Sequence, residues 1–276
     1  MKKVYLCAIS NIRSGACNED CRFCTQSVKW GADISRYKEK SIQTIINEAK
    51  LAKKNKASGF CLVTSGKGLD EKTLEYVCRA ARAVLKEVDI SIIACNGTAD
   101  KESLKELKKA GVKIYNHNLE TSREYYPKIC STHTWDERFE TCENIKSAGL
   151  RLCCGGIFGM GESESDIESF INSLKKLNPN GIPLNFFIEN PKLPLKATHN
   201  KEFALSIVKR FANEFKEAII MLAGGREIVF GNEWIEAMKI GADSVVIGDY
   251  LTTKGEKADR DLEILLKEGY VIANEC

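Results

Sequence analysis

Gly59-Phe-Cys-Leu-Val-Thr64, Glu71-Lys-Thr-Leu-Glu-Tyr-Val-Cys-Arg-Ala-Ala-Arg-Ala-Val-Leu-Lys86 and Asp89-Ile-Ser-Ile-Ile-Ala-Cys95 follow one another along the chain. Two short apolar runs bracket a longer, charged, amphipathic segment, which reads as strand, helix, strand. Outward from this stretch the same alternation recurs about every thirty residues. The other candidate strands are Val4–Ser10, Val112–Asn118, Leu150–Ile157, Ile182–Ile188, Ala218–Leu222 and Ser244–Ile247. Helix-like segments include Ser41–Lys54, Lys101–Ala110, Thr134–Ala148, Glu164–Leu177 and Asn200–Asn213. Gly59, Gly111, Gly149 and Gly241 stand just beyond helix ends, where a left-handed cap is needed. Alternation at this pitch implies parallel strands joined by right-handed crossovers. Eight strands point to an α/β fold of the (β/α)8 TIM-barrel type, with an open α/β sheet as the alternative. Such a barrel takes about 250 residues, nearly all of the 276 present. No Pro/Ser-rich linker divides the chain, so one domain is expected over residues 1–276. Its barrel would run to about residue 257, with a short helix around Arg260–Lys267 and a tail in 258–276.

Apolar residues make up 43% of the chain and charged ones 29%, the balance of an ordinary globular protein. A net charge of +3, without basic clusters interleaved by aromatics, argues against a nucleic-acid partner. No apolar run reaches the length of a membrane span, and the start at Met1 lacks a cleavage site of the secretory kind. The expected location is the cytoplasm, so the twelve cysteines should be reduced or metal-bound rather than paired as disulfides.

Directly after the first strand comes Ser14-Gly-Ala-Cys17-Asn-Glu-Asp-Cys21-Arg-Phe-Cys24. In barrels of this kind the chemistry sits at the C-terminal ends of strands. Three closely spaced thiolates can hold three irons of a four-iron cubane and leave the fourth open to a non-protein ligand. The alternative is a zinc knuckle, but residues 18–60 hold no second Cys/His pair. On strand 4, Tyr115-Asn-His-Asn-Leu-Glu-Thr-Ser122 places Asn116, Asn118 and Glu120 two apart, hence on one face. Polar groups stacked at a strand's functional end suit a ligand, against the reading of a loop leaving into solvent. Cys61, Cys95 and Cys153 close neighbouring strands, which favours a second iron–sulfur cluster over three buried hydrophobes. Cys7, Cys78 and Cys142 read as packing residues, and so does His117. His133 and His199 lack metal-like spacing. Gly155-Gly-Ile-Phe-Gly-Met-Gly-Glu162 allows close backbone approach to a ligand, or is a tight turn.

The cysteine array, with Phe23 before its last member, resembles the signature of radical S-adenosylmethionine enzymes. That resemblance implies a [4Fe-4S] cluster on Cys17, Cys21 and Cys24 whose open iron binds the amino and carboxylate groups of S-adenosyl-L-methionine. An electron from the cluster then yields methionine and a 5′-deoxyadenosyl radical, with Phe23 near the adenine. Joined by Phe60-Cys61, Tyr115–Ser122, Cys153, Gly155–Glu162 and Gly225-Arg-Glu227, the array resembles the biotin synthase family over nearly the whole chain. The resemblance implies a homodimeric barrel, fed by an electron donor such as flavodoxin or ferredoxin, that converts dethiobiotin to biotin with sulfur from an auxiliary cluster. Position by position, Arg138 would pair with the S-adenosylmethionine carboxylate and Glu120 would bind its ribose. Asn116 and Asn118 would lie beside the dethiobiotin ureido ring, and Asn185 near the substrate's carboxylate-bearing tail. The helix that commonly precedes strand 1 in the family is expected to be missing.

The auxiliary cluster departs from the family pattern of three strand cysteines and an arginine. Cys61 and Cys153 match, but the strand 3 position falls at Ile93, with Cys95 two residues on, and the arginine position falls at Met221. The expectation is a differently ligated cluster, [2Fe-2S] or larger, on Cys61, Cys95 and Cys153. Its fourth ligand would be Cys130, Cys154, Cys276 or exogenous sulfide. A different radical barrel enzyme, of the hydrogenase-cofactor maturase or mutase type, would not need these cysteines. An electron-transfer protein would not need Asn116, Asn118, Glu120 and Arg138 around an open iron.

Overall fold

β1 (Lys3–Arg13) lies between two parallel neighbours, β2 (Gly59–Thr64) and β9 (Ser244–Ile247), and that double pairing closes the sheet. The structure, a computed structural model, describes residues 2–253 and 255–275. Along the chain β1 is followed by α1 (Ile42–Lys54), β2, α2 (Glu71–Glu87), β3 (Ser91–Cys95) and α3 (Lys101–Lys109). Then come β4 (Val112–Asn116), α4 (Trp135–Ser147), β5 (Arg151–Cys153), β6 (Gly156–Phe158), α5 (Glu164–Leu177) and β7 (Gly181–Phe186). The chain continues with α6 (Lys201–Glu214), β8 (Ile219–Leu222), α7 (Arg226–Phe230), α8 (Ile235–Ile240), β9, α9 (Ala258–Lys267) and β10 (Val271–Ile272). The barrel order is β1-β2-β3-β4-β5-β7-β8-β9, all parallel, so the expected (β/α)8 barrel forms and the open sheet does not.

Three features differ from the expectation. The fifth strand splits at Cys154-Gly155 into β5, which pairs with β4 and β7, and β6, which pairs with β7. Gly155 is required there because a Cβ would run into the Pro183 carbonyl. Gly59 begins β2, and the left-handed residue after α1 is instead Lys56 (φ 63°), whereas Gly111, Gly149 and Gly241 do take positive φ. Finally, β10 adds a short parallel pair to the start of β1.

Strands of such a barrel are buried on both faces, and here the two faces separate into two cores. Leu6, Phe60, Leu62, Ile92, Tyr115 and Leu152 face the helices, while Cys7, Cys61, Ile93, Ile114, Cys153 and Val246 fill the lumen. Each fully buried Leu or Ile contributes about 1.5–3 kcal/mol, so the helix-facing shell supplies most of the stability.

Sequence-local caps fix where the helices start. Asp70 accepts the Thr73 amide at 2.7 Å, and α4 opens with a Thr134–Glu137 capping box. Thr134→Ala is expected to cost about 1 kcal/mol. Thermal unfolding should show this as a drop of about 2–4 °C in Tm.

Candidate active site at the barrel mouth

The loop after β1 is held in shape by its own backbone. Gly15 (φ 71°) and Ala16 (φ 56°) turn it, and the Gln26 side-chain oxygen accepts the Gly15 amide at 2.7 Å. The Cys17 carbonyl accepts the Val28 amide at 2.9 Å, the Cys17 amide donates to the Gln26 carbonyl at 3.4 Å, and the Trp30 indole donates to the Cys21 carbonyl at 2.8 Å. Asp20 clamps the loop to the segment before α4, accepting the Ser131 and Thr132 amides at 2.8 and 3.1 Å. Desolvation opposes its charge, but the bonds from Ser131, Cys130 and Thr132 hold its carboxyl well below the usual range.

Cys17, Cys21 and Cys24 stand on this loop as free thiols. Burial raises Cys17 and pushes Cys24 up to about 11, while the bond to Cys130, then burial, raises Cys21. Nearby thiolates disfavour one another, and a polycationic cluster supplies the countercharge this triad needs. Soft thiolate donors, three on one loop with no fourth in the motif, fit a [4Fe-4S] cluster with an open iron. Phe23 packs half-buried against the helix-facing core.

The strand alternation that placed Asn116, Asn118 and Glu120 on one face stops at Asn116, where β4 ends. Beyond it each side chain takes its own partner. Glu120 adopts a left-handed backbone (φ 70°) and bridges to Gly156, a strained conformation for a residue with a side chain. Asn116 Nδ2 donates to Cys95 Sγ at 3.3 Å, and Asn118 Oδ1 accepts the Gly155 amide at 3.1 Å. Arg138, from the first turn of α4, donates through Nε to the Asn118 carbonyl at 2.6 Å and through Nη2 to Glu120 Oε1 at 3.3 Å. The other carboxylate oxygen, Glu120 Oε2, is buried without a hydrogen-bond partner. Burial pushes the Glu120 carboxyl up, and the Arg138 guanidinium offsets part of that. A buried acceptor beside a buried guanidinium fits a ligand carrying hydroxyls and a carboxylate. Asn185 is tied to backbone instead, accepting the Gly224 amide at 2.9 Å and donating to the Gly156 carbonyl at 3.1 Å.

Below the mouth, Cys61 and Cys95 hydrogen-bond to one another, and Cys7, Cys95 and Cys153 all bear electrostatically on Cys61. Ile93 and Met221 line the same lumen as apolar neighbours. Two of the expected fourth ligands are elsewhere. Cys154 turns out of the lumen against Cys142, sulfur to sulfur at 3.8 Å, because consecutive strand residues face opposite ways. Cys130 lies 3.8 Å from Cys21, on the loop side of the site. Cys276 lies outside the described residues.

His133, read from the sequence as lacking metal-like spacing, sits among potential metal ligands. Its Nδ1 lies 2.7 Å from Glu19 Oε2 and 3.3 Å from Cys130 Sγ, and the ligand atoms of Cys21, Cys130 and His133 lie within 4.8 Å of one another. The bond from Cys21, then His133, draws the Cys130 thiol down to about 4. The spacing Cys130-Ser-Thr-His133 carried a C-x2-H signal that pointed here. His117 is buried, its backbone carbonyl accepting the Cys142 thiol and its Nε2 without a hydrogen-bond partner. His199 Nε2 lies 2.7 Å from the Phe187 carbonyl.

A parallel barrel whose first loop carries three cysteine thiols, near a buried guanidinium and carboxylate, defines the class of radical S-adenosylmethionine enzymes. The profile of the Radical SAM superfamily matches residues 11–174, and that of the Biotin and Thiamin Synthesis associated domain matches 183–271. In fold, the chain is similar to a FeFe-hydrogenase maturase from Carboxydothermus hydrogenoformans, with TM-score 0.85 and 17% identity, covering 98% of this chain and 68% of that one. It is likewise similar to methylornithine synthase, with TM-score 0.85 and 18% identity, covering 98% and 84%. In sequence it is 86% identical to the biotin synthase of Nautilia profundicola over the full length of both chains. It is 57% identical to that of Nitratiruptor sp. over 99% of each, and 56% identical to that of Aliarcobacter butzleri over 99% of this chain and 98% of that one. The chain belongs to the biotin synthase family.

Proposed function

We propose that this protein converts dethiobiotin to biotin by radical S-adenosylmethionine-dependent sulfur insertion. The observation that carries this reading is the stacking of two thiol sets: Cys17, Cys21 and Cys24 on the loop above, Cys61, Cys95 and Cys153 in the lumen below. A [4Fe-4S] cluster on the upper set supplies, with S-adenosylmethionine, one-electron chemistry able to break an unactivated C–H bond.

The protein's part is to position and to insulate. Arg138, oriented by the Asn118 carbonyl and Glu120, is placed to grip a carboxylate. Glu120 Oε2 is an acceptor for ribose hydroxyls. Asn116, bonded to Cys95, spans from the mouth to the lumen thiols and would hold a ureido ring beside the sulfur source. Val63, Ile93, Ile114 and Val246 keep water from the reacting carbons. Phe23 would pack near the adenine and Asn185 near the substrate's carboxylate tail. The auxiliary site, the homodimer, a flavodoxin or ferredoxin donor, a cytoplasmic setting and one domain over 1–276 are parts of the same proposal. Among the described residues no helix is long and apolar enough to cross a membrane.

The test is an anaerobic assay of reconstituted protein with S-adenosylmethionine, a low-potential reductant and dethiobiotin, analysed by mass spectrometry. Biotin together with 5′-deoxyadenosine is expected. Deoxyadenosine without biotin, with both clusters assembled, would redirect the reading to another substrate. Arg138→Lys removes the planar two-point grip while keeping the charge. It should raise the KM for S-adenosylmethionine by roughly tenfold or more, the worth of one charge-assisted hydrogen bond.

A further inference from the structure

We propose that Cys7, on β1, is the fourth protein ligand of the auxiliary iron–sulfur site, joining Cys61, Cys95 and Cys153. This rests on the reading above that the lumen holds a second cluster.

Strand register carries the argument. Around the barrel, each pairing step drops about one residue toward the floor, the stagger that closes a barrel of this kind. Ile9 pairs with Cys61 and Cys61 with Ile93, so Ile93 is level with the residue two below Ile9, which is Cys7. Ile93 pairs with Ile114 and Ile114 with Arg151, so Cys153 shares that level. Cys153 pairs with Gly181 and Gly181 with Ile219, which brings in Met221. Met221 pairs with Ser244 and Ser244 with Tyr5, and the level returns to Cys7. The walk closes on the residue it began with.

Cys7, Ile93, Cys153 and Met221 therefore form one inward layer drawn from alternate strands, the layering expected inside such a barrel. Two of its four positions, Ile93 and Met221, are those at which a cysteine and an arginine were expected and neither stands. A thiol has moved to the third strand's next inward position, Cys95, and another stands in the layer itself at Cys7. Cys61 lies one residue step above Cys7, and the two share the inner core. That core is otherwise walled by Val63, Ile114, Ala223 and Val246. Four soft donors in an apolar chamber match the chemistry of iron–sulfur ligation. The remaining cysteines near the site are engaged elsewhere, Cys154 with Cys142 and Cys130 with Cys21 and His133.

The test uses full-length protein carrying Cys17→Ala, Cys21→Ala and Cys24→Ala, so that only lumen iron is read. After anaerobic reconstitution with ferrous iron and sulfide, iron per chain, visible absorbance and Mössbauer spectra are recorded. Iron should bind, and adding Cys61→Ala should abolish it. Adding Cys7→Ala should weaken iron retention against a chelator by about tenfold or more, with circular dichroism unchanged. Cys78→Ala, on α2 outside the barrel, should match the background. Cys7→Ser provides a second readout in which one iron site shifts its Mössbauer parameters. Retention and spectra unchanged in both Cys7 variants would overturn the proposal while leaving the lumen cluster standing. Failure of the background itself to take up lumen iron would overturn the reading on which the proposal rests.

Discussion

Cys95→Ser is expected to cut biotin formation about a hundredfold while leaving the production of 5′-deoxyadenosine nearly unchanged. The two outputs separate because the hydrogen bonds of Cys95 go to Cys61 and Asn116, not to Arg138 or Glu120. Its sulfur is hydrogen-bonded with Cys61 and accepts from Asn116 Nδ2 at 3.3 Å, whereas Arg138 donates to Glu120 and to the Asn118 carbonyl. Serine keeps the shape and the hydrogen bond but replaces a soft donor by a hard one, which iron–sulfur clusters do not favour. A misassembled sulfur source then misplaces the atom that the substrate carbon must meet, and such displacements cost about a hundredfold in rate. Both products are quantified from one anaerobic reaction by mass spectrometry. A parallel fall of the two would move Cys95 into the radical-generating half. Undiminished biotin would remove it from sulfur delivery altogether.

The same residues show what a sequence discloses and what it withholds. Strands and helices were legible because each strand is a short apolar run and each helix a longer capped amphipathic one. Cys95 could be placed at a strand's mouth end from that alone. Cys7 could not be told from a packing residue, because β1 is buried on both faces and alternation is silent there. Its level became visible only when pairing around the whole barrel was known. Glu120 was placed beside Asn118 by a period of two that no longer holds at that point; its left-handed backbone and bridge to Gly156 bring it to the same place. The break at Gly155 answers to the Pro183 carbonyl, a neighbour across the sheet that no local pattern encodes. Cys130 and His133 belong to the cysteine loop through Cys21, 109 positions earlier in the chain, so only their own C-x2-H spacing hinted at it.

Asp261→Ala should destabilise the protein by about 3–5 kcal/mol, the cost of stranding one partner of a buried ion pair. Arg226 and Asp261 are 1% and 0% exposed, joined by two bonds of 3.0 and 2.7 Å. The guanidinium also lies 4.6 Å from the Trp234 ring centroid and donates to Glu227 Oε1 at 2.8 Å. Glu227 in turn accepts the Tyr250 hydroxyl, which also reaches the Ala223 carbonyl beside the lumen. One pair therefore ties the first turn of α9 to the turn after β8 and, through Tyr250, to the wall of the reaction chamber. Removing the carboxylate leaves a buried cation with Glu227 as its remaining anionic partner, so the loss should exceed that of any exposed ion pair here. Thermal unfolding should fall by roughly 6–20 °C for a chain of this size. The double variant Arg226→Met, Asp261→Leu should recover much of that loss, because it removes the desolvated charge as well as its partner. A drop under about 1 kcal/mol for Asp261→Ala, the range of surface pairs, would mean that water reaches the guanidinium and that α9 does not seal this side of the chamber. Full recovery of stability in the double variant without recovery of biotin formation would assign the pair to holding Tyr250 and Ala223 in register, rather than to stability alone.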